Sequence, residues 1–287
     1  MLFTSKSKHF EYLRNKWTAK HRSLQNKLFD SHKEFARHLT VGGLGGLMLL
    51  TMPVGGILSA PHLLASGSGQ VQKDTDQNAV LAKELEKILP PDVRSLNVNE
   101  EEAIGEVLTQ NFGFPVSAAL DGIRLNRSYG VIGGEQHLYR FPGDNLMKHA
   151  DNAQDAAMYG PAGIAPGLGA WGYFASSENQ FSEKDKIREK YYLAVQTFLA
   201  PGFAENVGRF RDFFKFRKML VVNPQTGQSV VAVIGDAGPA SWTGKHLGGS
   251  PEVMHYLGLA KGPRKGPVLY FFIDDPGDKI PLGPIKI

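Results

Sequence analysis

An aspartate at the end of an apolar run occupies a position that suits acid–base chemistry. Residues 230–234 are apolar and predict a buried strand, and Asp236 follows them at the start of a loop that contains Gly238 and Pro239. A rigid strand end can hold a carboxyl group in a fixed position towards a ligand. We therefore expect Asp236 to act as a general acid and base, or alternatively as a structural acceptor of backbone N–H groups.

A second group of polar side chains, His137, Asp144, His149 and Asp151, lies in one turn-rich segment. The step of seven positions from His137 to Asp144 resembles the zinc-ligand spacing of D-Ala-D-Ala carboxypeptidases, but no Glu-x-x-His follows to complete that set. A zinc peptidase is therefore the least favoured function, and we assign no metal ligand and expect no cofactor. Either Arg140 pairs with Asp144 in a polar loop, or His137 and Asp144 line a substrate groove.

Three aromatic residues in loops are candidates for contact with a ligand. Trp171 and Tyr173 lie in a glycine-rich loop, and Trp242 lies in the loop that follows Asp236. Aromatic faces can stack on sugar rings, and aromatic side chains also fill hydrophobic cores. Both interpretations stay open at this point.

The strands that must position Asp236 are predicted from about residue 190 onward. Apolar or alternating runs occur at 191–199, 218–223, 229–236 and 268–274, with turn residues between them. Abundant glycine (33) and proline (17) also suit a β-rich domain. Segment 204–219 predicts a helix with phenylalanines and basic residues, which either covers the sheet or contacts an anionic surface.

Two helices are predicted before the strands. The first covers 79–89 and ends at Pro90 and Pro91, and the second begins at Asn99 as its N-cap and runs to about Gln110. We expect these helices to form a stalk without chemistry of its own. Residues 113–175 are expected to be turn-rich and irregular.

Segment 220–259 carries a resemblance to a known family. The strand pair LVVNPQTGQSVVAV is followed by Asp236-Ala237-Gly238-Pro239 and then by a helix that starts at Ser250 and ends at Leu257-Gly258. This order resembles the double-psi β-barrel domain of the rare lipoprotein A family, which typically shows VTN-x-x-(N/T)G-x-SVVV, DRGP and a serine-started helix ending in LG. Upstream, 194–198 and 169–173 resemble that family's AAH-x-TLP and ASWYG.

The resemblance implies a mainly β fold, a double-psi β-barrel with helical insertions, and a lytic transglycosylase-like cleavage of cell-wall glycan (peptidoglycan) with Asp236 as acid and base. The candidate substrate-binding residues are Gln196, His246, Trp171, Tyr173, Trp242, His137 and Asp144. Gln196 stands where the family has a histidine, and Gly248 stands where the related endoglucanases have an acid. The alternative is therefore a glycan-binding or envelope-assembly module without catalysis.

Charge and hydropathy predict a membrane anchor near the N-terminus. Residues 1–38 contain nine Lys or Arg residues against three acids, and residues 39–61 contain no charge and are long enough to cross a bilayer. We expect a single-pass plasma-membrane protein whose N-terminus is cytoplasmic and whose larger part is extracellular or periplasmic. A cleaved signal peptide and a buried glycine-rich hairpin are the alternatives.

The remaining composition excludes several classes of protein. There is no cysteine, so disulfides and thiolate metal sites are excluded. The net charge of +4 comes from residues 1–38, so we expect no nucleic-acid partner. The sequence does not indicate a protein partner. The predicted organisation is a basic cytoplasmic segment (1–38), a transmembrane helix (39–61), a linker with stalk helices (62–112) and an exported barrel domain (113–287).

Overall fold

The structure, a computed structural model, describes residues 68–287, with side chains from residue 77 onward. The predicted cytoplasmic segment 1–38 and the predicted transmembrane helix 39–61 lie outside the described residues. Among the residues that are described, no helix has the length and the apolar character needed to cross a membrane.

The described chain contains both helices and strands. The helices are α1 (Ser68–Ile88), α2 (Val98–Phe112), α3 (Ala153–Tyr159), α4 (Glu183–Lys190), α5 (Val207–Phe214) and α6 (Pro251–Tyr256). The strands are β1 (Val116–Ser117), β2 (Ala119–Leu120), β3 (Ile123–Arg124), β4 (Tyr129–Gly134), β5 (Tyr192–Val195), β6 (Lys218–Val222), β7 (Ser229–Ala237), β8 (Leu247–Gly249), β9 (Lys265–Ile273) and β10 (Gly283–Ile285).

Six strands close into a β-barrel in the order β4, β8, β5, β7, β6, β9 and back to β4. The pairs β4–β8 and β5–β7 are parallel, and the other four pairs of the ring are antiparallel. Strand β1 adds to β9, and β10 adds to β7. The expectation of a mainly β barrel with helices is confirmed at this level.

Both faces of β6, β7 and β9 are buried, which explains why their sequences are nearly continuous apolar runs. Alternate residues of β7, such as Val230 and Ile234, fill the barrel interior, whereas Val231 points to the outer face. Successive side chains of a strand point to opposite sides, so two separate cores form from one strand. The outer core is completed by α1 and α2 through side chains such as Leu85 and Leu108.

Local sequence signals account for the ends of several elements. Asn97 caps α2 in a capping box with Glu100, so the predicted N-cap at Asn99 is wrong by two positions. Ser250 caps α6 with Pro251 at its first turn, as predicted. Helix α5 buries its phenylalanines in the barrel core, which confirms the interpretation that it covers the sheet.

Two strands of the closed ring were not predicted, and neither were the short strands β1, β2, β3 and β10 outside it. Strand β4 lies inside the segment 113–175, which was expected to be irregular, and β8 lies in a segment expected to be a loop. Both contain paired glycines, which have low intrinsic strand propensity. They are strands because they pair with each other and with β9 and β5, which only the closed barrel brings alongside them.

Candidate functional site

Asp236 lies near the end of β7, where the barrel strand passes into the following loop. Its partner across the parallel pair is Ala194 of β5, just after a shift in register. Its Oδ1 accepts hydrogen bonds from the backbone N–H of Ala170 at 2.6 Å and of Ala237 at 2.8 Å. Within the described part of the chain, Oδ2 accepts no hydrogen bond. One oxygen is thus fixed and the other is free to exchange a proton.

The environment of the carboxyl group favours its protonated form. Asp236 is half-buried, and burial raises its pKa above the ordinary value, although the two backbone N–H groups favour the charged form. A carboxyl whose pKa lies nearer to neutral can donate a proton under conditions in which an exposed aspartate is already ionised.

The glycine-rich loop 169–173 closes over the end of β7. A Cβ atom added at Gly169 would lie 3.4 Å from Asp236 Oδ1, and the indole N–H of Trp171 donates to the carbonyl of Ile234 at 3.1 Å. Trp171 is half-buried against the barrel core, whereas Tyr173 is exposed. Trp171 therefore anchors loop 169–173 to β7, and the N–H of Ala170 in this loop donates a hydrogen bond to Asp236.

Gln196 and His246 are each held by hydrogen bonds to backbone groups of other segments. The Gln196 amide is buried and donates to the carbonyl of Pro239 at 2.9 Å. His246 Nδ1 accepts from the backbone N–H of Val131 at 3.0 Å, and burial, together with the charge of Arg127, lowers the pKa of this imidazole. Trp242 lies in the loop that follows Asp236, and its side chain is 87% exposed to solvent.

A second carboxylate was not predicted from the sequence; it lies beside Gly248 of β8, which pairs with Ala194, the partner of Asp236. Glu135 follows β4 directly, and its Oε1 accepts from Lys245 Nζ at 2.5 Å. A Cβ atom added at Gly248 would lie 2.4 Å from the Glu135 side chain, so Glu135 fills the space beside Gly248. The glycine pair before Glu135 was the available signal, because glycine permits such close approach between strands.

The other candidate residues form a separate, buried group. Glu189 of α4 lies between two imidazoles, with its Oε1 at 3.3 Å from His137 Nδ1 and its Oε2 at 3.3 Å from His149 Nδ1. His149 Nε2 lies 3.0 Å from Asp144 Oδ2, and Arg140 donates to both oxygens of that carboxylate. Despite burial, these bonds hold the pKa of Asp144 well below its ordinary range.

This group unites some of the predicted residues and excludes one. The predicted pair between Arg140 and Asp144 is present, and the rings of His137 and His149 are in contact, tilted by 53° with centroids 4.7 Å apart. Asp151 instead forms ion pairs with Lys186 and Lys190 on the surface. The contact of His137 and Asp144 with a glycan stays a prediction. Both side chains are buried within this group.

One further acid borders the buried group. Glu252 of α6 is buried, and its Oε2 has no hydrogen-bond partner in the described part of the chain. Burial and the negative charge of Glu189 raise the pKa of Glu252 to about 7. Neither Glu189 nor Glu252 was singled out from the sequence, because both lie far along the chain from His137.

Two cavities lie away from Asp236. A cavity of about 250 Å³ is bordered by His137, His149 and Tyr159. A larger one of about 1030 Å³ lies between α1 and the turn that connects β6 to β7.

Comparisons with protein-family models and with curated proteins find no match to this chain. The strand pairing and the helices packed on the outer face define a closed six-stranded β-barrel with helices on its outside.

Proposed function

We propose that the chain is a membrane-anchored protein that cleaves or remodels cell-wall glycan outside the membrane, with Asp236 as its acid and base. The anchor in this proposal is the uncharged segment 39–61, and the glycan is peptidoglycan. The observation that carries the proposal is the environment of Asp236: a half-buried carboxyl at a strand end with one fixed oxygen, one free oxygen and a raised pKa.

The reaction needs only one carboxyl group that changes its protonation state. Protonated Asp236 would donate its proton to the glycosidic oxygen as the bond to the sugar breaks, so the leaving sugar departs as an alcohol. The carboxylate that remains would accept the proton of a hydroxyl group on the same sugar, while that oxygen attacks the anomeric carbon and closes an anhydro ring. The acid is regenerated, and no water is consumed.

The closed six-stranded ring supports the double-psi barrel of the rare lipoprotein A family as the fold behind this activity. Segment 229–237 forms β7, which ends at the Asp236 motif, and Ser250 starts a helix, as the resemblance implied. A closed barrel with a filled interior has no channel, so a glycan would bind across the strand ends and their loops.

Glu135 supports an acidic site despite the glycine at position 248. The related endoglucanases carry an acid there, and here the Glu135 side chain enters the same space from β4. Glu135 forms an ion pair with Lys245, whereas Asp236 accepts hydrogen bonds from backbone N–H groups, so the two carboxyl groups have different environments. We propose that Glu135 contributes negative charge to the glycan site.

A second candidate function is glycan binding without cleavage. Trp242 is the observation that favours it, because an indole that is 87% exposed offers a free aromatic face to a sugar ring. In this case the protein sediments with peptidoglycan but releases nothing from it.

The test is digestion of purified peptidoglycan by the full-length chain in detergent, with mass analysis of the released fragments. We expect anhydro-muropeptides from the parent protein and a loss of about 10²- to 10⁴-fold in their rate of release from Asp236→Asn. Asp212→Asn, an exposed aspartate on α5, is the matched control and should keep the parent rate.

Two outcomes contradict the proposed cleavage. Unchanged release by Asp236→Asn would remove this residue from the reaction. Binding of peptidoglycan without release by the parent would favour the second candidate function and make Asp236 a structural residue.

A further inference from the structure

The buried group around Glu189 has the residue types and the geometry of a metal site, and the proposed glycan chemistry does not use it. Each of His137, His149 and Glu189 offers a ligand atom, and these atoms lie within 4.8 Å of one another. All three side chains are almost completely buried. Imidazole nitrogen and carboxylate oxygen are common ligands of zinc and related divalent ions.

The distances between the ligand atoms fit a shared ion. His137 Nδ1 lies 3.3 Å from Glu189 Oε1, and His149 Nδ1 lies 3.3 Å from Glu189 Oε2, so the imidazoles approach the two oxygens of one carboxylate. Two ligands at about 2.0–2.1 Å from a tetrahedral zinc ion are separated by about 3.3 Å. Charge-assisted hydrogen bonds between the same groups are shorter, at about 2.7–2.9 Å.

The orientation of His149 is the second, independent observation. Its Nε2 faces the carboxylate of Asp144 at 3.0 Å, so Nε2 carries the hydrogen and donates it. Its Nδ1 has no hydrogen-bond partner, although the residue is only 5% exposed. A carboxylate that receives one ring N–H and turns the other nitrogen towards an ion is the usual outer partner of a metal-bound histidine.

The surroundings support the same assignment. Asp144 is itself fixed by Arg140, and the backbone N–H of Leu138 donates to Glu189 Oε1 at 3.0 Å. The unpartnered Oε2 of Glu252 adds a further buried acid next to Glu189. A cation at this site would offset the negative charge of the two buried acids.

We propose that His137, His149 and Glu189 bind one divalent transition-metal ion of the zinc class, with Asp144 as the positioning residue for His149. Three protein ligands leave a fourth position of a tetrahedral ion open. The cavity of about 250 Å³ beside His137 and His149 is the place for that position and for water or a small anion on the metal. This proposal does not depend on the function of Asp236.

A metal-free arrangement competes with this proposal. A protonated His149 between Asp144 and Glu189 would also neutralise the two carboxylates. The two arrangements differ in whether the protein takes up one ion per chain, so metal content decides between them.

The experiment uses the full-length chain in detergent, freed of metal by a chelator and then titrated with Zn²⁺ in a calorimeter. We expect the parent protein to bind one Zn²⁺ ion tightly. Glu189→Gln should lower the affinity for Zn²⁺ by at least about 100-fold. Asp144→Asn should weaken zinc binding by about 10- to 100-fold, since it leaves the three ligands in place and disturbs the orientation of His149. Asp151→Asn, a surface acid of the same loop, is the control and should leave the affinity unchanged.

Two further measurements keep the test decisive. Co²⁺ in place of Zn²⁺ should give the visible absorption of a four-coordinate ion in the parent protein, which is independent of how the variants fold. Five other histidines precede residue 68, so the loss in Glu189→Gln assigns the ion to this site. No stoichiometric uptake by the parent, or full uptake by a folded Glu189→Gln, would overturn the proposal.

Discussion

At the scale of single residues, the environments of Asp236 and Asp144 shift the pKa values of these two carboxyl groups in opposite directions. Asp236 is half-buried and accepts only two backbone N–H bonds, so burial prevails and its pKa is raised. Asp144 is more deeply buried, but Arg140 and His149 provide charge as well as hydrogen bonds, and its pKa is lowered. The first is therefore suited to proton transfer and the second to holding its neighbours in place.

The raised pKa of Asp236 makes a prediction about stability and pH. A carboxyl with a raised pKa contributes stability that is fully present below its unfolded pKa and is lost as the pH rises through its folded pKa. Asp236→Asn keeps an oxygen acceptor but cannot ionise. We expect the Tm of the variant relative to the parent to increase between about pH 4 and about pH 7.

Thermal melts of both proteins across that range measure the effect. Asp212→Asn serves as control because its side chain is exposed on α5. A difference between Asp236→Asn and the parent that stays constant with pH would show that Asp236 does not titrate in this range.

At the scale of elements, α1 and α2 are part of the barrel's structure. Their apolar side chains share one core with the outward-facing residues of β6, β7 and β9. Among the described residues, the cavity of about 1030 Å³ lies beside α1 near the β6–β7 turn. The described residues all belong to one compact unit, which begins at Ala65.

Leu85 provides a test of this element. Its side chain is fully buried between α1 and the barrel, so Leu85→Ala should destabilise the domain by about 2–5 kcal/mol through lost burial and the cavity it leaves. Val80→Ala on the same helix, at 52% exposure, should have an effect of only about 0.5 kcal/mol or less. Denaturant unfolding of both variants gives the comparison. Equal effects would mean that α1 does not stabilise the barrel.

At the scale of the whole molecule, charge is divided unequally along the chain. The basic excess lies in residues 1–38, and the part that follows the uncharged segment 39–61 has a slightly negative net charge. This asymmetry would orient the proposed membrane anchor with its N-terminus inside, which is why we propose that the glycan site lies on the outer face.

Membrane fractionation tests the proposed anchor. We expect the full-length chain to remain with the membrane after an alkaline wash and a variant without residues 39–61 to be released. A variant without residues 1–38 retains the apolar segment and should stay bound, although with less defined orientation. Release of the full-length chain by the wash would contradict the anchor.

Much of the local structure follows from the sequence alone. The alternating and apolar runs predicted β6, β7 and β9, Ser250 and Pro251 marked the start of α6, and the position of Asp236 after an apolar strand was readable directly. These features depend on residues within a few positions of each other, and short-range sterics and capping determine them. The resemblance to a barrel family added the closed architecture as an expectation.

Only the tertiary structure decided which distant residues meet. Glu189 lies 52 positions after His137, and Lys245 lies 110 positions after Glu135, so neither contact leaves a pattern in the sequence. The segment that contains His137, Asp144 and Asp151 did not indicate which of these residues meet, and Asp151 pairs with surface lysines. Closure of the barrel brings β4, β5 and β8 together, and that closure depends on long-range pairing and packing rather than on local propensity.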